Sequence, residues 1–143
     1  MLRRILATSA SWAPLPIRLV CAAIFIGHGA QKVLGAFGGP GFKGFTEGTT
    51  PFSFMRPAWL WLGAAALSEL VGGILVGLGF LTRVGAFFLM CTMLTAIRVH
   101  WPNFFLSDRG FEYPLALVGM SLSLLISGGG IVSVDRAITG GRR

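Results

Sequence analysis

A single carboxylate, Glu69, lies at the centre of a 25-residue apolar run from Pro57 to Leu81. A helix of about 20 apolar residues, rising 1.5 Å per residue, spans the roughly 30 Å hydrocarbon core of a bilayer. Glu69 would then lie near the middle of the membrane, where an ionised side chain costs about 3 kcal/mol on insertion scales. Because such a group must be paired, protonated or hydrated, we expect Glu69 to meet a basic companion from the first apolar segment.

Four long apolar segments indicate an integral membrane protein. The chain has 143 residues, of which 54% are hydrophobic and only 12% charged, about half the charged share of a soluble domain. Four such segments cannot all be buried cores of a soluble fold, because too little chain remains to cover them. Since backbone groups in hydrocarbon must be satisfied within their own segment, each run is expected to be a helix.

The predicted fold is all-α, an integral membrane four-helix bundle with both termini in the cytoplasm. A short cytoplasmic lead-in, 1–13, precedes the bundle, 14–130, and a basic cytoplasmic tail, 131–143, follows it. The fourth helix is short, and we expect it to extend upstream toward Arg109. The four helices are predicted at 14–34, 56–79, 83–101 and 112–127.

The distribution of the basic residues indicates that the net charge of +7 faces a membrane surface and does not serve nucleic-acid binding. They stand singly at the edges of apolar runs, as in membrane proteins, so nucleic-acid binding is excluded. Seven Lys and Arg residues fall on the side of the termini and five on the other, which favours cytoplasmic termini. Arg18 and Arg83 are interpreted as anchors at the cytoplasmic interface. The seven basic residues on the side of the termini are Arg3, Arg4, Arg18, Arg83, Arg136, Arg142 and Arg143.

Small residues and aromatic loops suggest how the helices meet. Gly73 and Gly77 are expected to allow close helix contact on the second helix, as is Gly119 on the fourth. The loop 35–55 mixes glycines with phenylalanines, so we expect it to fold back on the membrane interface or to plug the mouth of the bundle. Cys21 and Cys91 are interpreted as small apolar core residues, with a redox pair as the alternative.

Several polar residues of the outer half form the candidate ligand-binding or proton-handling site. His28, Gln31 and Lys32 are neighbours on the first helix, and Lys32 or His28 is the expected partner of Glu69. Two structural alternatives stay open: that Lys32 only extends its amine to water, and that the polar residues only form an ion-pair network that locks the bundle. The remaining candidates are Arg98, His100 and Glu112, all expected at one outward-facing cavity.

No motif of catalysis, nucleotide binding or haem attachment is present, and two separate histidines do not predict a metal site. The cavity is therefore interpreted as a site for a small polar ligand, a quinone head group or a proton. Histidine and a buried carboxylate suit proton movement near neutral pH.

The order of motifs resembles the DoxX family of small four-helix proteins of the bacterial inner membrane. The resemblance rests on Arg18, Gly29-x-x-Lys32, Glu69-x-x-Gly72-Gly73, Gly77-x-Gly79, Arg83, His100, Glu112-Tyr113 and Asp135. It implies a membrane subunit of a redox system involving quinone or small sulfur or thiol compounds, with a partner protein carrying the redox centre. It also singles out Lys32, Glu69 and His100. The alternative is a small membrane carrier or scaffold without redox chemistry, including a homo-oligomer, and no intrinsic cofactor is expected in either case.

Overall fold

The computed structural model describes residues 5–140, and within this range all regular secondary structure is helical. The predicted all-α class is therefore confirmed. We number the helices in chain order, and two short 3₁₀ turns, Ala36–Gly38 and Leu106–Asp108, lie between them. The helices are α1 Pro14–Leu34, α2 Gly41–Thr46, α3 Ala58–Leu78, α4 Thr82–His100, α5 Glu112–Ser127 and α6 Val134–Thr139.

Three helices, α1, α3 and α4, are long and apolar enough to cross a membrane, whereas α5 is a shorter apolar helix of 16 residues. At 1.5 Å per residue, α5 is about 24 Å long. The predicted extension of this helix toward Arg109 is wrong. Arg109 has a left-handed φ of 56°, and the Glu112 carboxylate accepts a hydrogen bond from the Leu106 N–H at 2.5 Å. The loop thus closes on itself, and its backbone does not continue the helix.

The helices form a ring in which α1 packs on α3, α3 on α4, and α4 on α5, while α1 and α5 close the ring through the loosest of the four seams. The core inside this ring combines small and large apolar side chains. Its buried members are Cys21, Phe25, Val76, Ala86, Leu89, Met93, Leu117 and Leu124.

Glycines bring α1 and α3 into close contact. A Cβ atom at Gly29 would lie 2.5 Å from the Leu70 backbone nitrogen, and one at Gly77 would lie 3.0 Å from the Ala22 Cβ. Helix backbones approach this closely only where side chains are absent. The predicted contact at Gly73 and Gly77 is observed, but the one at Gly119 is wrong, because a Cβ there would meet nothing within 4 Å.

The end of the bundle opposite Lys32 is closed by Arg18, and the prediction that Arg18 is an interface anchor is wrong. Its side chain is 2% exposed and donates to the carbonyl oxygens of Val76 at 2.8 Å, Gly77 at 2.7 Å and Gly129 at 2.8 Å. A fourth bond goes to the Val132 carbonyl. These carbonyls lie at or beyond helix ends, where few backbone donors are available, and the Val76 oxygen also accepts from the Gly79 N–H at 3.1 Å. The guanidinium therefore adds donors where the backbone supplies few.

A second polar contact joins the chain after α5 to the α3–α4 turn. Asp135, in α6, is 1% exposed and accepts from the Leu81 N–H at 2.7 Å, the Thr82 N–H at 3.0 Å and the Thr82 hydroxyl at 2.8 Å. These donors include N–H groups at the start of α4, which have no acceptor within the helix. The segment predicted as a tail therefore contains a docked helix.

Arg83 donates to the carbonyls of Ala7 at 3.0 Å and Ile126 at 2.8 Å. It thereby ties the chain before α1 to the end of α5, and its interpretation as an interface anchor stays a prediction. The cytoplasmic orientation of the termini stays a prediction, and four of the arginines behind it, Arg3, Arg4, Arg142 and Arg143, lie outside the described residues.

The two cysteines have different surroundings. Cys21 is fully buried in the core, as expected, whereas Cys91 is exposed on the outer face of α4, so the prediction of a core position is wrong for Cys91. Both thiols are free.

Candidate functional site

The buried carboxylate and its basic companion meet across the α1–α3 contact. Lys32 lies in the last turn of α1, and its Nζ donates to Glu69 Oε1 at 2.6 Å and also to Oε2. The Glu69 side chain is 3% exposed and the Lys32 side chain 24%. The close approach at Gly29, one turn before Lys32, brings the lysine within reach of α3. Of the two partners predicted for Glu69, the structure therefore selects Lys32.

The glycine-rich loop covers this ion pair. Within it, α2 packs on both α1 and α3. The Phe45 ring centroid lies 5.2 Å from Lys32 Nζ, within the range of a cation–π contact. A Cβ at Gly63 of α3 would meet the Phe42 ring at 3.1 Å. The expectation that this loop plugs the mouth of the bundle agrees with these contacts.

A cavity of about 210 Å³ opens beside the pair, and we call it the Lys32–Glu69 cavity. Its volume equals that of about seven liquid water molecules, and it is smaller than the 300–1,000 Å³ typical of sites for drug-sized ligands. The cavity therefore has room for one compact polar group among mainly apolar walls. It is lined by Ile24, Phe25, His28, Lys32, Glu69, Met93, Ala96, His100, Tyr113, Pro114 and Leu117.

Four of the seven predicted site residues line this cavity: His28, Lys32, Glu69 and His100. His28 is exposed on α1 and faces α5 across a 6.4 Å distance between its ring centroid and that of Tyr113. His100 Nδ1 donates to the Arg109 carbonyl oxygen at 2.6 Å. Since a carbonyl oxygen only accepts, this bond places a proton on Nδ1 and leaves Nε2 free to contact a ligand.

The other three predicted residues do not line the cavity. Gln31 lines an adjacent groove on α1. Arg98 is exposed near the end of α4. The Glu112 carboxylate is bound to the Leu106 N–H and so stabilises the loop before α5. The prediction of one cavity shared by all these polar residues is therefore wrong for Gln31, Arg98 and Glu112.

Tyr113 and Met93 are cavity residues that were not predicted as site residues. Tyr113 is the single tyrosine of the chain, and it lies in the first turn of α5. Pro114, and Leu117 in the next turn, also line the cavity. The i, i+1, i+4 spacing of these three residues places them on one face of a helix, and this spacing could have indicated Tyr113 as a residue facing the bundle. Met93 offered no comparable signal, because a methionine within an apolar span is an ordinary core residue.

The site combines a carboxylate, an ammonium, two imidazoles and a phenol at the edge of an apolar core. Such a set can bind a polar head group by hydrogen bonds and can exchange protons with it. Among residues 5–140, no three His, Cys, Asp or Glu side chains are grouped closely enough to hold a metal ion.

Comparisons with known proteins agree with this architecture. The family model described as DoxX matches residues 13–101, which contain α1 to α4. A protein of Bacillus subtilis (strain 168), named "Putative oxidoreductase CatD", is 31% identical over 132 residues, covering 90% of this chain and 89% of that protein. No solved structure is significantly similar to the chain.

Proposed function

The chain belongs to the DoxX family, and from this premise we propose that it is a membrane subunit of a redox system that acts on a quinone or on small sulfur or thiol compounds. The family and the name of the Bacillus subtilis relative favour redox chemistry. The observation that carries the proposal is the buried Lys32–Glu69 pair beside a cavity with two imidazoles and a phenol. We place the protein in the inner membrane of a bacterium.

Four polar residues of the cavity have distinct roles in this proposal. Reduction of a quinone to a quinol takes up two electrons and two protons. Lys32 and His28 are donors at the cavity that can hydrogen-bond the ligand oxygens, and His100 Nε2 is the ring nitrogen that can exchange a proton with the ligand. Glu69 holds the Lys32 ammonium in place through both carboxylate oxygens. Electrons would come from a partner protein, since the chain carries no cofactor-binding motif.

The test is the retention of native quinone after gentle extraction of the protein from membranes. Lipid extracts of the purified protein are quantified for quinone by mass spectrometry against an empty-membrane control of equal lipid content. We expect quinone above the control for the wild type and at least a fivefold loss in Glu69→Gln. Glu47→Gln is the matched control, because Glu47 is exposed and does not line the cavity. Quinone at the lipid-only level in the wild type would contradict the quinone form of the proposal.

A structural role for the ion pair is a second candidate, favoured by the complete pairing of Glu69 with Lys32. Replacing both residues with apolar side chains of similar size removes the charges without leaving one unpaired. The double variant Lys32→Met/Glu69→Leu separates the two roles. If quinone retention and quinone-dependent turnover stay at wild-type levels in the folded double variant, the pair only stabilises the bundle.

A further inference from the structure

A second concavity of about 240 Å³ adjoins the Lys32–Glu69 cavity along α1, and we call it the α1–α5 groove. On α1 it is lined by Ala23, Ile24, Gly27, His28 and Gln31, and on α5 by Tyr113. The five α1 positions follow the i, i+1, i+4, i+5, i+8 spacing of one helix face and extend over about 12 Å. The exposed Phe37 ring completes one end.

The groove and the cavity share walls. Ile24, His28 and Tyr113 line both spaces, and the rings of His28 and Tyr113 are 6.4 Å apart. The two spaces therefore meet at these three residues, whose side chains can change rotamer on a fast timescale. This meeting point also lies at the α1–α5 seam, the loosest seam of the bundle.

The groove lies within the span of α1. The helix runs from Pro14 to Leu34, so its midpoint is Ile24, and the groove extends from there toward the Lys32 end. In a membrane, its apolar half, at Ala23 and Gly27, faces hydrocarbon. Its polar half, at His28 and Gln31, lies nearer the interface.

Gly27 forms open space in the floor of this groove. A Cβ built at Gly27 would meet nothing within 4 Å, whereas one at Gly29, two residues later, would collide with the Leu70 backbone. Gly29 is therefore explained by helix packing, and Gly27 is not. The space at Gly27 is wide enough for part of a ligand to lie directly against the helix backbone.

We propose that the site takes its ligand from the bilayer through the α1–α5 groove, with the polar head in the Lys32–Glu69 cavity and an apolar tail along Gly27 and Ala23. This inference rests on the proposed function and narrows it. The cavity holds only a compact head, because its 210 Å³ leaves no room for a tail as well. The ligand is thus a membrane-dissolved amphiphile with one polar ring or similar head and a long apolar chain, and not a water-borne thiol.

Photocrosslinking in nanodiscs tests the route. The first probe is a ubiquinone analogue with a diazirine on its isoprenoid tail, and the second is ubiquinone-0, which has the same head and no tail. Crosslinked peptides are mapped by mass spectrometry, and binding of ubiquinone-0 to each variant is measured directly by isothermal titration calorimetry, without the photoprobe. The blocking variant is Gly27→Trp, and Ala23→Trp at an exposed groove position serves if Gly27→Trp does not fold. Gly119→Trp is the matched control, since Gly119 also borders open space and lies outside both concavities.

We expect the tail to crosslink to residues 20–30 of α1, and we expect yields at least tenfold lower in Gly27→Trp but unchanged in Gly119→Trp. Ubiquinone-0 should bind the wild type and Gly27→Trp with equal affinity, because the cavity itself is intact. If both probes bind the wild type but the tail crosslinks outside the groove, or Gly27→Trp leaves the yield unchanged, the route is refuted and the proposed function stands. If neither probe binds the wild type, the quinone form of the proposed function fails, and the inference fails with it.

Discussion

Replacing Lys32 with methionine should destabilise the bundle much more than neutralising Glu69. Lys32→Met leaves the Glu69 carboxylate, 3% exposed, without its cationic partner. Removing one member of a buried ion pair costs roughly 3–5 kcal/mol, and the lower end applies because 24% of the Lys32 side chain is exposed and its charge is partly screened. The substitution also removes the cation–π contact with Phe45. We therefore expect a loss of about 3 kcal/mol.

Glu69→Gln leaves the Lys32 ammonium without its carboxylate partner, but Lys32 is more exposed to solvent than Glu69. The Lys32 ammonium already reaches solvent in part, so it can extend to water, and the amide oxygen of the substituted side chain can still accept a hydrogen bond from it. The expected loss is about 1 kcal/mol, the value of a typical hydrogen bond. The asymmetry between the two variants follows from the unequal exposure of the two side chains.

Thermal unfolding in detergent at pH 7, followed by circular dichroism, measures both variants. At about 2–4 °C per kcal/mol for a chain of this size, Lys32→Met should lower Tm by roughly 6–12 °C and Glu69→Gln by roughly 2–4 °C. Lys43→Met, at an exposed lysine of α2, is the matched control and should leave Tm unchanged. Equal decreases for the two site variants, or none for Lys32→Met, would refute the reasoning that Glu69 is the desolvated partner.

Three further substitutions test the packing and the closed end of the bundle, each by the same unfolding assay. Gly29→Ala should destabilise by about 1–3 kcal/mol through overpacking against Leu70, whereas Gly119→Ala should leave Tm unchanged or slightly raised; equal effects would contradict the close α1–α3 contact. Asp135→Asn should cost about 2 kcal/mol, because the charge-assisted bonds from the start of α4 are weakened; a neutral result would show that α6 is not docked there. Arg18→Lys should cost about 1–3 kcal/mol, since an ammonium cannot reproduce the guanidinium fork over four carbonyls; wild-type stability would argue against this network.

The sequence predicted the helices well because hydrocarbon leaves the backbone no alternative. The four predicted segments became α1, α3, α4 and α5, whose ends differ from the predicted ones by no more than two residues. The prediction that Glu69 pairs with Lys32 or His28 also came from local reasoning, since a buried charge requires a companion and α1 carries the nearest basic groups. Gly73 and Gly77 were identified by their spacing alone.

The errors at Arg18, Arg98 and Glu112 share one cause, which is that these side chains were placed by their depth and not by their direction around the helix. Arg98 and Glu112 lie at suitable depths, yet the first faces outward and the second binds its own loop. Arg18 has the depth of an interface anchor, but the bundle turns it inward, onto carbonyls more than 50 residues away in the chain. Rotation of a helix is decided by its neighbours, and these contacts are not local in sequence.

By itself, the sequence determined that this protein is a helical membrane protein with one carboxylate in mid-span that needs a cation, because the cost of backbone and charge in hydrocarbon is a local property. Only the tertiary structure decided that Lys32, and not His28, holds this carboxylate, that Tyr113 and His100 join them at one cavity, and that a groove along α1 adjoins it. Those features depend on how four helices are rotated and spaced against one another. Rotation and spacing are set by the summed packing of many side chains, which no single segment encodes.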